Sequence, residues 1–288
     1  MIQDLEIFVA KDLDEVINRL TGKDTCIIAG GTDLIPGLNQ GSDRFKDARL
    51  LIDINRVAQL KGITIDDEKI SIGAVETFSN ILTNVIIKNR LPLLWKAAST
   101  IGSVQIRNRA TIAGNFVSNA PCADSVPALL VYNATIEIES RRKKREMSLS
   151  DFLSAPYKTK LDADEIVTKI IISVPSKDFT GDFYKLGRRR AVAISRVTLA
   201  LLLKMDKSVI EEIRIASGAA TPIGTRFFEL EKFAQGKTAD DNFLKELSRK
   251  VGEQIIDVTG LRWSSEYKLP VVQQMFYQIL NRLVHKTR

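Results

Sequence analysis

A chain of 288 residues that is 44% hydrophobic and 27% charged has the composition of a globular protein, and its length allows two or three domains. Two cysteines cannot build a disulfide framework or an iron–sulfur cluster with four thiolates, and the single histidine, His285, cannot form a metal site of several histidines. No apolar run is long enough to span a membrane. We therefore predict a cytoplasmic protein without a metal site or a catalytic residue of its own, in which any redox chemistry depends on an organic cofactor.

The net charge of +7 lies largely in two basic runs, 141–145 and 188–190. The first run stands between two alternating segments and contains no aromatic residue, which favours the solvated tip of a β-hairpin over a nucleic-acid site. The second run follows the sequence YKLG and suits either an anionic cofactor or a neighbouring subunit. We predict no nucleic-acid partner.

The hydrophobic pattern of the first part of the chain predicts alternating strands and helices. A helix at 13–20 and buried strands at 26–29 and 50–54 make a small α/β unit. After it, we predict a β-hairpin at 62–73, helices at 77–84, 91–101 and 126–132, and strands at 134–139 and 166–174. Pro175 then marks a boundary, which divides the chain into a domain of residues 1–176, with subdomains of about 1–58 and 59–176, and a second domain of residues 177–288.

The hydrophobic pattern of the second domain predicts a sheet followed by helices. Strands at 183–186, 197–205 and 209–218 predict an antiparallel three-stranded sheet, and helices are expected at 225–234, 241–256 and 271–284. The predicted fold class of the whole chain is therefore α+β, and the second domain contains no catalytic cluster.

A glycine motif follows the predicted strand at 26–29. Gly30 and Gly31 allow positive φ and a close approach of a ligand to the main chain, while Thr32 and Asp33 add polar side chains. This arrangement suits a phosphate or pyrophosphate, although a short glycine motif by itself is also compatible with a simple turn.

A second small-residue segment occupies 111–125. It places Ala113 and Gly114 among polar residues such as Thr111 and Asn115, and it contains an acidic residue, Asp124. We interpret both segments as small-residue loops. Two such loops suggest one long ligand, because a dinucleotide offers a pyrophosphate that needs backbone donors and a ribose that needs a carboxylate or an amide.

These motifs resemble those of the FAD-binding subunit of the molybdenum hydroxylases, the family that includes the xanthine dehydrogenase FAD subunit and the carbon monoxide dehydrogenase medium subunit. The resemblance covers nearly the whole chain in order: AGGTDL at 29–34, IG at 101–102 with QIR at 105–107, TIAGN at 111–115, Pro121 with Asp124, KLGRRR at 185–190, and TGLR at 259–262 before Tyr267. It implies a two-subdomain FAD domain of the vanillyl-alcohol-oxidase type and a C-terminal domain typical of the carbon monoxide dehydrogenase flavoprotein.

The resemblance also implies roles for individual residues. The FAD pyrophosphate would be wrapped by backbone N–H groups of 29–34 on one side and 111–115 on the other, Asp124 would bind the ribityl or ribose hydroxyls, and Lys185 would place a cation near the flavin ring. Ile101 occupies a position where eukaryotic xanthine enzymes have an aromatic residue, and Ala113 a position where many relatives have glycine. The predicted cofactor-binding residues are Ala29, Gly30, Gly31, Thr32, Asp33, Leu34, Ile101, Thr111, Ala113, Gly114, Asn115, Asp124 and Lys185.

The implied function is electron transfer through noncovalent FAD. Two partners are expected, a large subunit that carries molybdopterin and a small subunit that carries two [2Fe–2S] clusters, with NAD⁺ or another acceptor taking the electrons. The asparagine-rich segment 115–119 resembles that of xanthine or purine dehydrogenases more than that of carbon monoxide dehydrogenase. The resemblance therefore implies a xanthine or purine dehydrogenase, with a carbon monoxide dehydrogenase or another aromatic N-heterocycle dehydrogenase as the alternatives. The alternatives are a stand-alone flavoprotein oxidase, which would need a base over the flavin, and a structural subunit without cofactor.

Overall fold

The structure, a computed structural model, describes residues 5–22, 24–189 and 192–287. Arg190, the last residue of the second basic run, lies outside the described residues. The described part of the chain forms three units, each built around its own sheet. The predicted domain boundary at residue 176 falls between the second and third sheets and stays a prediction.

A parallel sheet with strand order β1–β3–β2 forms the N-terminal unit. Its elements are β1 (Glu6–Val9), α1 (Leu13–Arg19), β2 (Thr25–Ile28), α2 (Leu34–Asn39) and β3 (Leu50–Asp53). Helix α1 begins where the Asp12 carboxylate accepts the backbone N–H of Glu15 at 2.8 Å. The sequence predicts β2 as fully buried, but β2 is an edge strand and all of its residues are only partly buried.

An antiparallel sheet with strand order β4–β5–β10–β6–β7 forms the middle unit. Its strands are β4 (Ile63–Asp66), β5 (Lys69–Gly73), β6 (Thr135–Glu139), β7 (Lys144–Ser148) and β10 (Ile166–Ser173), and a separate pair is formed by β8 (Leu153–Ala155) and β9 (Lys158–Thr159). Its helices are α3 (Phe78–Thr83), α4 (Val85–Arg90), α5 (Pro92–Ser99), α6 (Val104–Arg107), α7 (Ile112–Val117), α8 (Ser125–Val131) and α9 (Leu149–Phe152). The predicted hairpin at 62–73 and the helices near 77–84, 91–101 and 126–132 are confirmed.

The first basic run forms the turn and second strand of the β6–β7 hairpin, as predicted, but its side chains are paired rather than merely solvated. Arg145 donates from Nε and Nη2 to the Glu165 carboxylate at 2.9 and 2.7 Å, and this contact lowers the pKa of Glu165 to about 2. Arg142 similarly reaches Asp164 at 2.8 Å. These cations therefore fix the hairpin to the segment that precedes β10.

An antiparallel sheet with strand order β11–β12–β13–β14 and three helices form the C-terminal unit. The elements are β11 (Thr180–Gly187), β12 (Ser195–Asp206), β13 (Val209–Gly218), β14 (Thr225–Arg226), α10 (Phe228–Ala234), α11 (Asp241–Thr259) and α12 (Ser265–Thr287). The predicted three-stranded sheet is thus extended by β14, which takes the first residues of the predicted helix at 225–234. Helix α12 begins at Ser265, six residues before the predicted start, because Pro270 lies in its first two turns and removes only one backbone hydrogen bond there.

Helix α8 joins the middle and C-terminal units. All of its residues are buried, and it packs against α5 and α7 on one side and against β12 and β13 on the other. A helix that is apolar on every face must be enclosed in this way. This placement brings the residue before α8, Asp124, next to the C-terminal sheet.

Tyr132 directly follows α8 and supplies the N-terminal cap that α5 lacks in its own sequence. Its side chain is 2% exposed and its hydroxyl oxygen accepts the backbone N–H of Leu93 at 3.0 Å, whereas the residue at the cap position, Leu91, has no side-chain acceptor.

We expect Tyr132→Phe to lower the free energy of unfolding by about 1.5 kcal/mol, because a buried N–H loses its acceptor. Urea denaturation measures this loss; Tyr184→Phe, at a site 43% exposed, is the control, and equal effects of the two changes would contradict the capping role.

Candidate cofactor-binding site

A cavity of about 260 Å³ opens between the N-terminal unit and the helices of the middle unit. Its walls contain residues from both predicted motifs: all of 29–34 from the first, and Thr111, Ala113, Gly114 and Asn115 from the second. Ala120, Cys122 and Ala123 complete the wall beside the second motif. The two motifs, widely separated in sequence, therefore face one common space.

The glycine motif makes a sharp turn from β2 to α2 that requires glycine at two positions. A Cβ on Gly30 would lie 2.1 Å from the carbonyl oxygen of Arg109, and Gly31 has a φ of +72°, in the left-handed region. No described residue accepts a hydrogen bond from the backbone N–H groups of 30–33. Adjacent unpaired donors beside a cavity form a concave site for phosphate oxygens.

Asn55 fixes the start of this turn and was not found from the sequence. Its Nδ2 donates to the carbonyl oxygen of Ala29 and to Asp53 Oδ1, both at 2.7 Å. Asn55 follows β3, the central strand, and Ala29 follows β2. The carboxyl ends of parallel strands lie at the same edge of a sheet, so the position of Asn55 directly after a predicted strand could have indicated that it lies near the glycine motif.

Residues 111–115 of the second motif form the cap and first turn of helix α7, not the loop that the sequence suggests. Thr111 caps α7, because its Oγ1 accepts the backbone N–H of Gly114 at 3.2 Å. The backbone N–H groups of Ala113 and Asn115 also donate within the protein, at 3.2 and 3.1 Å. This wall therefore offers side chains to a ligand, since its backbone donors are already engaged.

Two side chains of this wall have clear local roles. Ala113 has helical backbone geometry and is 6% exposed, so its methyl group causes no backbone strain at this position. Asn115 Oδ1 accepts from the Ser125 hydroxyl at 2.6 Å, which orients the amide and leaves Nδ2 as a donor. Whether Thr111, Ala113, Gly114 and Asn115 contact FAD stays a prediction.

Asp33, at the end of the glycine motif, is bound by protein side chains. Arg44 donates to both carboxylate oxygens at 2.9 and 3.0 Å, and the Ser118 hydroxyl donates to Oδ2 at 3.0 Å. The Arg44 hydrogen bonds hold the pKa of Asp33 below its ordinary value despite partial burial. Nothing in the sequence around Arg44 indicated this contact, because the residue lies beyond α2 and the contact depends on the path of the chain.

The remaining predicted cofactor-binding residues, Ile101, Asp124 and Lys185, lie in a second cluster, which adjoins the cavity wall at 120–123. Lys185 on β11 donates to Asp124 Oδ2 at 2.6 Å and to the carbonyl oxygen of Thr100 at 2.8 Å, next to Ile101. The side chains of Lys185 and Asp124 are each 8% exposed. Ser195, which the sequence did not indicate, donates to Asp124 Oδ1 from the start of β12.

The pKa of Asp124 reflects two opposing effects, burial and contact with its partners. Burial raises the pKa of the Asp124 carboxyl, and it does so more strongly than Lys185 and Ser195 lower it. Direct contact with Lys185, at 2.6 Å, opposes this effect of burial, and the two groups form a buried ion pair. The structure thus gives Lys185 a carboxylate partner that the sequence did not indicate, and its position near the flavin ring stays a prediction.

An α+β fold in which one cavity wall has backbone donors without an acceptor among the described residues, and the other has small residues, is typical of a protein that binds a nucleotide cofactor. The family of the FAD binding domain in molybdopterin dehydrogenase matches residues 3–175, and the CO dehydrogenase flavoprotein C-terminal domain matches residues 182–283. The chain belongs to this family. It is an FAD-binding oxidoreductase subunit of the molybdenum hydroxylase type, which confirms the predicted family, cofactor and fold class.

Individual relatives cover almost the whole chain. The xanthine dehydrogenase FAD-binding subunit of Escherichia coli O157:H7 is 32% identical over 96% of this chain and 94% of its own length. The glyceraldehyde dehydrogenase medium chain of Sulfolobus acidocaldarius is 35% identical over 92% of both chains. Among solved structures, a carbon monoxide dehydrogenase from Hydrogenophaga pseudoflava matches with a TM-score of 0.90 at 25% identity over 98% of this chain and 97% of its own.

The similarity to multi-subunit enzymes places this chain as the medium subunit of such an assembly. Within the described ranges, no helix combines the length and the apolar character needed to cross a membrane.

Proposed function

We propose that this chain carries electrons between a [2Fe–2S] subunit and NAD⁺ or another acceptor in a complex whose large subunit oxidises a substrate at a molybdenum centre. The supporting observation is the cavity, which is lined by residues 30–33 on one side and by the small residues of α7 on the other. Among the described residues, none accepts a hydrogen bond from the N–H groups of 30–33. These donors would hold the FAD pyrophosphate. Bound FAD supplies the ability to exchange electrons singly on one side and as a hydride on the other.

The chain's own residues would set the position of the cofactor. The turn at Gly30 and Gly31 lets the pyrophosphate approach the main chain, and the Asn115 amide offers a donor from the opposite wall. The Lys185–Asp124 pair would lie toward the flavin end, beside Ile101. We propose that FAD is bound without a covalent link: burial raises the pKa of the Cys122 thiol in the cavity wall, and a protonated thiol is a poor nucleophile.

The substrate of the complex belongs to the partner subunit. We propose a purine or related N-heterocycle of the xanthine type, as the segment 115–119 suggests, and the relative named for xanthine supports this choice. The relative named for glyceraldehyde has higher identity, so identity alone does not select a substrate. The proposal retains the predicted cytoplasmic location and the predicted domain boundary near residue 176.

Reconstitution of the purified full chain tests this proposal. We expect the chain to bind FAD, to show a flavin absorption spectrum, and to be bleached by NADH without oxygen and without partners. A chain that stays colourless after incubation with FAD would support the cofactor-free alternative. Oxygen consumption with an organic substrate in the absence of partners would instead support the stand-alone oxidase. If NADH does not bleach the flavin but another reduced electron carrier does, the oxidised form of that carrier would be the acceptor instead of NAD⁺.

A further inference from the structure

We propose that Asp33 is not a cofactor ligand but the centre of a clasp, formed with Arg44, Ser118 and Tyr157, that joins the two cavity walls and slows the release of FAD. The clasp deepens the proposed function and depends on it. Asp33 and Ser118 both line the cavity, one from each wall. Because the side chains of Asp33 and Arg44 are 41% and 30% exposed, the clasp lies at the rim of the cavity rather than in its interior.

The contacts of Asp33 are those of a structural link. Arg44 binds it through two parallel hydrogen bonds, and Ser118 adds a third to the same carboxylate. Such bidentate pairs are the most geometrically specific of charge-assisted hydrogen bonds. An unpaired carboxylate next to the donors of 30–33 would also repel a diphosphate, and Arg44 removes this repulsion.

Tyr157 presents a fixed ring to Arg44 from the second wall. The guanidinium carbon of Arg44 lies 4.5 Å from the centroid of the Tyr157 ring. Tyr157 has a φ of +60°, and its backbone N–H donates to the carbonyl oxygen of Asn119 at 2.9 Å. Asn119, which directly follows Ser118, donates in turn to the carbonyl oxygens of Ala155 and Lys158 at 2.8 and 2.9 Å.

The two contacts on the second wall are therefore parts of one rigid support. Ser118 is the C-cap of α7, and the next residue, Asn119, is fully buried. The turn that carries Tyr157 is held by hydrogen bonds to Asn119. Arg44, in contrast, comes from the N-terminal unit, between α2 and β3. Opening the cavity between the two units requires Arg44 to leave Tyr157 and Asp33 to leave Ser118, so breaking the clasp should accelerate the release of FAD.

The rate constant for FAD release tests the clasp. It is measured on the reconstituted full chain as the rise in flavin fluorescence after dilution, for Arg44→Met, Asp33→Asn and the double variant. We expect each single change to accelerate release about tenfold and the double change to be no faster than either, because both break the same unit. Arg44→Lys, which keeps the charge but not the two parallel bonds, should recover only part of the loss.

Two controls separate the clasp from a general effect on folding. Arg56→Met removes an exposed arginine of the same unit and should leave release unchanged. Tyr157→Leu and Ser118→Ala should each accelerate release, with thermal unfolding of the cofactor-free chain within a few degrees of the wild type. These two variants also test the clasp if Arg44→Met does not fold.

Distinct results would overturn the proposal. Faster release for Arg44→Met together with slower release for Asp33→Asn would mean that Arg44 binds the diphosphate directly and that Asp33 only weakens it. Unchanged release in all variants of a chain that does bind FAD would remove the clasp and leave the proposed function intact. Failure of the wild-type chain to take up FAD would remove both.

Discussion

Gly30→Ala is expected to abolish FAD binding at micromolar concentrations and to lower the free energy of unfolding by about 3 kcal/mol. The added Cβ would lie 2.1 Å from the carbonyl oxygen of Arg109 and 2.9 Å from the Cα of Ala110. Both neighbours are backbone atoms, so the turn itself must move. Because the same turn presents the unpaired N–H groups of 30–33, its displacement disperses the donors that would hold the pyrophosphate.

FAD titration followed by flavin fluorescence, together with urea denaturation of the cofactor-free chain, measures both effects. Gly22→Ala is the matched control, because its Cβ would meet only the Asp24 carboxylate, at an ordinary 3.5 Å, and its φ is not in the left-handed region. The control should bind FAD as the wild type does. Retention of FAD affinity within about threefold in Gly30→Ala would show that this turn does not form the pyrophosphate site.

Lys185→Met is expected to destabilise the cofactor-free chain by about 3 kcal/mol at pH 8 and by clearly less at pH 5. The change leaves the Asp124 carboxylate buried without its cation, and removing one partner of a buried pair is costly. The carboxyl can escape this cost by binding a proton, since burial already raises its pKa above the ordinary value of 3.8. A group whose pKa is raised by folding contributes stability at low pH and loses it as the pH rises through the folded pKa, so the deficit of the variant must grow with pH.

Urea denaturation at the two pH values measures this dependence. Lys204→Met serves as the control, because the Lys204–Glu211 pair is more exposed and should have little effect at either pH. The double variant Lys185→Met with Asp124→Asn should regain part of the stability at pH 8, since it leaves no lone charge. A loss in Lys185→Met that is the same at pH 5 and pH 8 would show that Asp124 does not depend on this cation.

The contacts of Asp33 and Lys185 show how far sequence reasoning reached at this site. The residue types of both motifs predicted an anion-binding turn, and the structure places residues from both motifs on one cavity. The partners of the charged side chains could not be predicted. Arg44 reaches Asp33 and Ser195 reaches Asp124 only because the tertiary fold brings separate segments of the chain together.

The secondary structure illustrates the same limit. Periodicity found the hairpin at 62–73 and the helices near 77–84 and 91–101, because local spacing of apolar residues determines which face is buried. The sequence prediction was wrong at 111–115, which forms the cap and first turn of a helix rather than a loop. It was also wrong about the start of α12, which begins before Pro270 rather than after it. In both places a short-range signal for a loop or a break was outweighed by hydrogen bonds and packing of the surrounding helix.

The sequence by itself determined the family, the α+β class and the requirement for glycine after β2, because these depend on residue types at fixed spacing. The tertiary structure decided which donors remain unpaired, which wall offers backbone and which offers side chains, and that Lys185 forms a buried ion pair with Asp124. The physical reason is that hydrogen bonding, burial and ion pairing depend on distances between segments far apart in the chain, and no local pattern encodes those distances.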